Sequence, residues 1–100
     1  MAMLERWIQQ VNGDVDTYME YEKKWEAIEQ RVGGFPTKKH YWAWSGPHDM
    51  GTVVWEREWE SLSAMEAAYG KEAGDPDFEA MSDIPSPVAS QRIELYYVVD

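Results

Sequence analysis

Apolar and polar residues alternate along Met3–Val11 (MLERWIQQV), the period of a half-buried strand, and Asn12-Gly13 ends the run. Asp14 or Asp16 stands ready to cap a helix after it. From Val15 to Val32 the residues Tyr18, Tyr21, Trp25, Ile28 and Val32 step by three and four, which predicts a helix with one buried stripe. Glu20 and Lys24 pair one turn apart on its outer side. Gly33-Gly34 supplies a C-terminal stop and Pro36 prevents the helix from resuming. Lys38–Ser45 (KKHYWAWS) and Thr52–Trp59 (TVVWEREW) read as strands joined by the turn-forming residues 46–51, hence a hairpin. Ser61 caps a second helix running to about Lys71, with Leu62, Met65, Ala68 and Tyr69 on one face. Asp75-Pro76 opens a short helical turn carrying Phe78 and Met81. Ser82–Ser90, with its two prolines, is a loop, and Gln91–Val99 (QRIELYYVV) is the last strand. The order βαββαβ predicts an α+β, ferredoxin-like domain over residues 1–100, with one four-stranded antiparallel sheet covered on one face by helices.

The hairpin sharpens this reading. With Ser45 opposite Thr52, Trp44 faces Val53, Trp42 faces Trp55, His40 faces Arg57 and Lys38 faces Trp59, all on one side of the sheet. The other side then pairs Ala43 with Val54, Tyr41 with Glu56 and Lys39 with Glu58, so opposite charges meet. One face thus gathers four tryptophans around His40 and Arg57. Two explanations fit. The face packs under the helices, with Arg57 reaching an edge or an acid such as Glu22 or Glu26, and with His40 satisfied by a hydrogen bond. Alternatively, the tryptophans wall a cavity in which Arg57 and His40 orient a planar or anionic ligand.

Composition narrows the function classes. Without cysteine there are no disulfides, thiolate nucleophiles or Cys-based metal sites, a usage that suits the reducing cytoplasm. Residues 1–11 lack a basic stretch followed by an apolar core, so no signal peptide is expected, and no apolar run approaches a membrane span. The net charge is −10, and Glu72–Asp83 holds acids with no base, which argues against nucleic acid and anionic membrane as partners. Six Trp, six Tyr and two Phe are more aromatic surface than so short a chain hides alone. A homodimer interface or a ligand pocket is the expected sink. His48-Asp49 in a turn falls short of a metal site. Nucleophile elbows and phosphate loops are absent, and no cofactor is expected. Glu56 and Glu58 share a face as a carboxylate pair, neutralised by Tyr41 and Lys39 opposite.

Trp55-Glu56-Arg57-Glu58-Trp59-Glu60-Ser61, continued by Leu62, Ala64, Met65 and Ala68, resembles the strand end and capped helix of the dimeric α+β barrel superfamily. That superfamily includes NIPSNAP-like proteins and antibiotic-biosynthesis-type monooxygenases. Gly46 and the closing Arg92-Ile93-Glu94-Leu95-Tyr96 fit the same pattern. The resemblance implies two subunits packed sheet to sheet, helices outside, and a cavity between each sheet and its helices. Haem-degrading members share Trp59, but Tyr69 stands where they carry a helix histidine, and Asn12 is the chain's only asparagine. The leading expectation is therefore a dimeric protein binding a small aromatic or anionic molecule through His40, Trp42, Trp55, Arg57, Trp59 and Tyr69. The alternatives are a cofactor-independent monooxygenase acting on a phenolic or polyketide-like substrate, and a purely structural dimerisation module.

Overall fold

Strand β1 (Met3–Val11) occupies a central place in the sheet, with β3 (Thr52–Trp59) antiparallel on one side and β4 (Val88–Tyr97) antiparallel on the other. The short β2 (Lys39–Trp42) flanks β3, giving the order β2-β3-β1-β4. This is a computed structural model and describes residues 1–100. Helix α1 (Val15–Val32) joins β1 to β2, and α2 (Leu62–Ala73) follows β3. The short α3 (Pro76–Ala80) and a single 3₁₀ turn (Met81–Asp83) lead into β4. The fold is α+β and ferredoxin-like, as the residue pattern predicts. No helix is long and apolar enough to cross a membrane.

The helices start where their caps stand. Asp14 accepts from the Thr17 N–H at 2.8 Å and Ser61 from the Ala64 N–H at 3.1 Å, so each oxygen satisfies one of the orphan donors of a first turn. Gly33 and Gly34 both take positive φ, 84° and 87°, which carries the chain out of α1 along a path that residues with a Cβ resist. The buried face of α1 includes Tyr18 and Ile28 from the expected stripe, with Tyr21, Trp25 and Val32 partly covered. It also buries two acids, Glu22 and Glu29.

The hairpin pairs differently from the expectation. His40 lies opposite Trp55, Trp42 opposite Val53, Tyr41 opposite Val54 and Lys39 opposite Glu56, a slip of two residues. Such a slip keeps every side chain on its face, so hydrophobic alternation does not distinguish the two registers. Charge does not distinguish them either, because Lys39 finds Glu56 in place of Glu58. The turn decides. β2 ends at Trp42, and the connection from Ala43 to Gly51 uses positive φ at Gly46 (120°) and Gly51 (93°). Trp42 stays on the Trp55 side but sits at the end of β2, and Trp44 lies past the strand, so they are 45% and 83% exposed and do not join the buried tryptophans. β4 also begins earlier than expected, at Val88, and stops at Tyr97.

The inner face of the sheet is layered along its strands. At one end Met3 and Trp59 pack with Met65 and Ala68 of α2; at the other Val11 and Val53 pack with Tyr18 of α1. Between these clusters β1 presents Glu5, Trp7 and Gln9, and β3 presents Trp55 and Arg57, with Glu5 directly opposite Arg57.

Candidate functional site

Arg57 is the hub of that middle layer, and its side chain is completely buried. Its Nε donates to Glu5 Oε1 at 2.8 Å, one terminal nitrogen to Glu29 Oε1 at 3.0 Å, and the other to the Tyr69 hydroxyl at 2.6 Å. The guanidinium carbon lies 4.8–5.5 Å from the ring centres of Phe35, Trp55, Trp59 and Tyr69, so aromatic faces enclose what the carboxylates do not. Arg57 therefore neither reaches an edge nor pairs with Glu22 or Glu26; its acids are Glu5 and Glu29. The chain alone does not reveal this, because Glu5 comes to Arg57 through the pairing of β1 with β3, two strands separated by the whole of α1 and β2.

Glu5 is saturated. Oε1 accepts from Arg57 and from Trp59 Nε1 at 2.9 Å; Oε2 accepts from Trp7 Nε1 at 2.8 Å and from the Tyr69 hydroxyl. Burial by itself would raise its pKa, but Arg57 and these donors outweigh burial and hold it below the usual carboxylate range. A second ion cluster adjoins the first. Lys38 Nζ stands 3.1 Å from Glu22 and 3.6 Å from Glu29, and 4.4 Å above the Trp55 ring. His40 Nε2 is 2.9 Å from Glu22. Glu22 too is lowered: burial opposes this, and the His40 hydrogen bond and the Lys38 charge prevail.

Next to these clusters a cavity of about 350 Å³ opens between the inner face of the sheet, α1, α2 and α3. Trp7 and Trp55 form one wall, stacked at 5.1 Å with an interplanar angle of 13°. Trp25 and Phe78 meet edge to face at 5.6 Å as another, and Tyr21 completes the aromatic lining. Gln9, Glu22, Glu29, Lys38, Arg57, Tyr69 and Glu72 supply the polar side, while the exposed Ser86 and Gln91 mark where the cavity reaches the surface. Glu72 differs from the other acids. It is buried, its Oε2 has no hydrogen-bond partner, and burial together with the nearby Glu29 pushes its pKa up to about 7 against the pull of Arg57 and Lys38. No group of three or more acids and histidines is arranged to hold a metal ion.

Of the residues singled out by sequence, Trp55, Arg57 and Tyr69 line the cavity. Trp59 is buried behind them in the Met3–Met65 cluster and acts as a donor to Glu5. His40 sits behind Glu22, and Trp42 lies at the half-exposed end of β2; neither lines the cavity. Sequence reasoning passes over Trp7, Trp25, Phe78, Lys38, Glu29 and Glu72. A signal for part of this set exists. Glu5 falls in phase with Met3, Trp7 and Val11, and Glu22 and Glu29 recur seven residues apart beside the apolar stripe of α1. Charged residues on a core-facing phase point to buried partners.

The same architecture recurs in solved structures. An uncharacterised NIPSNAP domain protein from Burkholderia xenovorans superposes with a TM-score of 0.78 at 17% identity, over 97% of this chain and 94% of that one. A mutant form of SnoaB, a cofactor-independent oxygenase from Streptomyces nogalater, gives 0.69 at 13% identity, over 99% and 94%. The Streptomyces coelicolor monooxygenase from the gene ActVA-Orf6, solved with nanaomycin D, gives 0.61 at 18%, over 99% and 88%. The chain thus has the fold shared by NIPSNAP proteins and antibiotic-biosynthesis-type monooxygenases. No protein-family model and no curated protein matches it by sequence.

This geometry sets expectations for two variants. Arg57→Leu leaves Glu5 buried without its cation and Glu29 with Lys38 alone at 3.6 Å, so unfolding by denaturant should show a loss of roughly 3–5 kcal/mol. A loss under about 1 kcal/mol would mean that the two acids find other partners. Glu72 carries a folded-state pKa above its unfolded one. Its burial is therefore neutral in cost below about pH 4.5, becomes unfavourable as pH rises, and is fully so above about 7. Glu72→Gln should raise the thermal midpoint by a few degrees at about pH 9 and leave it unchanged at about pH 4.

Proposed function

We propose that this chain is a homodimeric binding protein for a small, uncharged, flat aromatic molecule held in the cavity between the sheet and its helices. The observation that carries this reading is the cavity itself: about 350 Å³, walled by Trp7, Trp25, Trp55, Tyr21 and Phe78, and reaching the surface beside Ser86. Its size lies within the usual range of ligand pockets, and a cavity of about 150 Å³ already holds benzene, so this one accepts two fused rings or more. The paired state of the cations argues against the anionic ligand that the sequence left open. Arg57 is bound by Glu5 and Glu29, and Lys38 by Glu22 and Glu29, so an incoming carboxylate has no free cation to meet. Two of the fold relatives are oxygenases; the fold they share does not bring that chemistry here, whereas the aromatic cavity is built from this chain's own residues.

Dimerisation is supported by the outer face of the sheet, which no helix covers. Tyr41 and Tyr96 are 44% and 45% exposed there, beside Val54, Glu56 and Glu58. Pairing such faces about a two-fold axis would bury the aromatic surface that the monomer leaves wet.

Titration with naphthalene, followed by the indole NMR signals of Trp7, Trp25 and Trp55, tests the ligand reading. Those three signals should move together, and Ser86→Trp at the mouth should weaken binding at least tenfold, about 1.4 kcal/mol, without altering stability. Unmoved signals at saturating naphthalene would reject the cavity as a site. Sedimentation at micromolar concentration should give twice the chain mass, through an interface of at least ~1,000 Å². A monomer mass would reject the dimer.

A further inference from the structure

Two side-chain polar atoms in the molecule are buried without any hydrogen-bond partner, Trp55 Nε1 and Glu72 Oε2, and both belong to residues that line the same cavity. They are complementary in kind. An indole N–H only donates, and a carboxylate only accepts. Leaving either unpaired carries the desolvation penalty of a buried polar group with nothing to offset it. The other indoles on the inner face of the sheet are bonded: Trp7 and Trp59 both donate to Glu5. The remaining acids of the layer are likewise bound, Glu5 and Glu29 to Arg57, Glu22 to Lys38 and His40.

We propose that Trp55 Nε1 and Glu72 form the polar recognition pair of the cavity, for a neutral ring compound carrying one hydrogen-bond acceptor and one N–H or O–H donor. This rests on the aromatic-cavity reading above and adds the ligand's polar requirement. The acceptor meets the indole and the donor meets the carboxylate, while the ring lies among the tryptophans. A ligand with donors only, such as an ammonium, leaves Trp55 unanswered; an anion leaves Glu72 unanswered and faces Glu22 and Glu29 as well.

Recognition of the donor is tied to pH through Glu72. The groups facing it are Glu29 from α1, Arg57 from β3, Glu5 from β1 and Lys38 ahead of β2, and it titrates near 7. Above that value the carboxylate accepts a charge-assisted hydrogen bond, roughly twice as strong as a neutral one. Below it the bond weakens, so a donor-bearing ligand binds more tightly at high pH.

The test uses the full chain with ¹⁵N-labelled tryptophan and two probes, 2-quinolone and N-methyl-2-quinolone, which differ only in the donor. The Trp55 indole proton, assigned by its loss in Trp55→Phe, should shift downfield with both. Affinity for 2-quinolone should be about tenfold higher at about pH 9 than at about pH 5, and that for the N-methyl compound should be flat. Glu72→Gln, which keeps an acceptor oxygen but does not titrate, should retain 2-quinolone binding and erase its pH dependence. Trp55→Phe should weaken both probes. If the two probes bind equally at both pH values, while the Trp7 and Trp25 signals still report occupancy, the recognition pair is wrong and the aromatic cavity stands. If neither probe binds at millimolar concentration while naphthalene does, the two atoms do not take part in recognition and the inference falls. If naphthalene fails as well, the reading beneath it falls too.

Discussion

A guanidinium set in the middle of a sheet has to be neutralised where it stands, and the contact between Arg57 and Glu5 does this. The two residues are directly opposite on β3 and β1 and 2.8 Å apart. Moving both charges out of water costs several kcal/mol each, and their mutual attraction recovers this only if the remaining lone pairs and protons are also satisfied. Here they are. Glu5 accepts four hydrogen bonds, and Arg57 reaches Glu29 on α1 and Tyr69 on α2. Four separate elements thus converge on one charge, and each must hold its place for the others to be paired.

That requirement shapes the rest of the interior. The apolar clusters are confined to the two ends of the inner face, Met3–Trp59 with α2 and Val11–Val53 with α1. Between them the side chains are large, flat or charged. Aromatic rings prefer stacked or edge-on geometries, and charged groups need partners in set directions, so both fix their neighbours by direction as well as by volume. The cavity lies in this layer, and it inherits rigid walls from the tryptophans and a fixed polar side from the ion clusters. The two atoms left unpaired, on Trp55 and Glu72, stand out against a layer that is otherwise satisfied.

The resemblance to NIPSNAP-like and monooxygenase sequences rests on a short run around Trp55–Ser61, and the fold comparison agrees with it although identity is below 20%. That run contains the inward-facing Trp55, Arg57 and Trp59 and the Ser61 cap. It is the strand end and helix start that this architecture needs in order to place α2 over the sheet.

Local patterns are sufficient for the elements. β1 and α1 run over the residues expected of them because alternation, a three-four stripe, an Asp cap and a Gly-Gly stop all act within a few residues of one another. The inward phase of Trp55, Arg57 and Trp59 is legible for the same reason, since neighbours on a strand must alternate. Pairing between distant segments is not legible. The hairpin register slips by two because that slip costs neither face nor charge, and only the Ala43–Gly51 connection separates the alternatives. Arg57 finds Glu5 through a strand pairing across 52 residues, and Glu29 through the rotation of α1 over the sheet. The unslipped register brings Trp42 into the site, and Glu72 and Trp7 escape notice because nothing near them in the chain marks them as neighbours. Which side chains face inward is a property of the local chain; which of them meet, and which are left without a partner, depends on how the sheet orders its strands and how the helices settle on it.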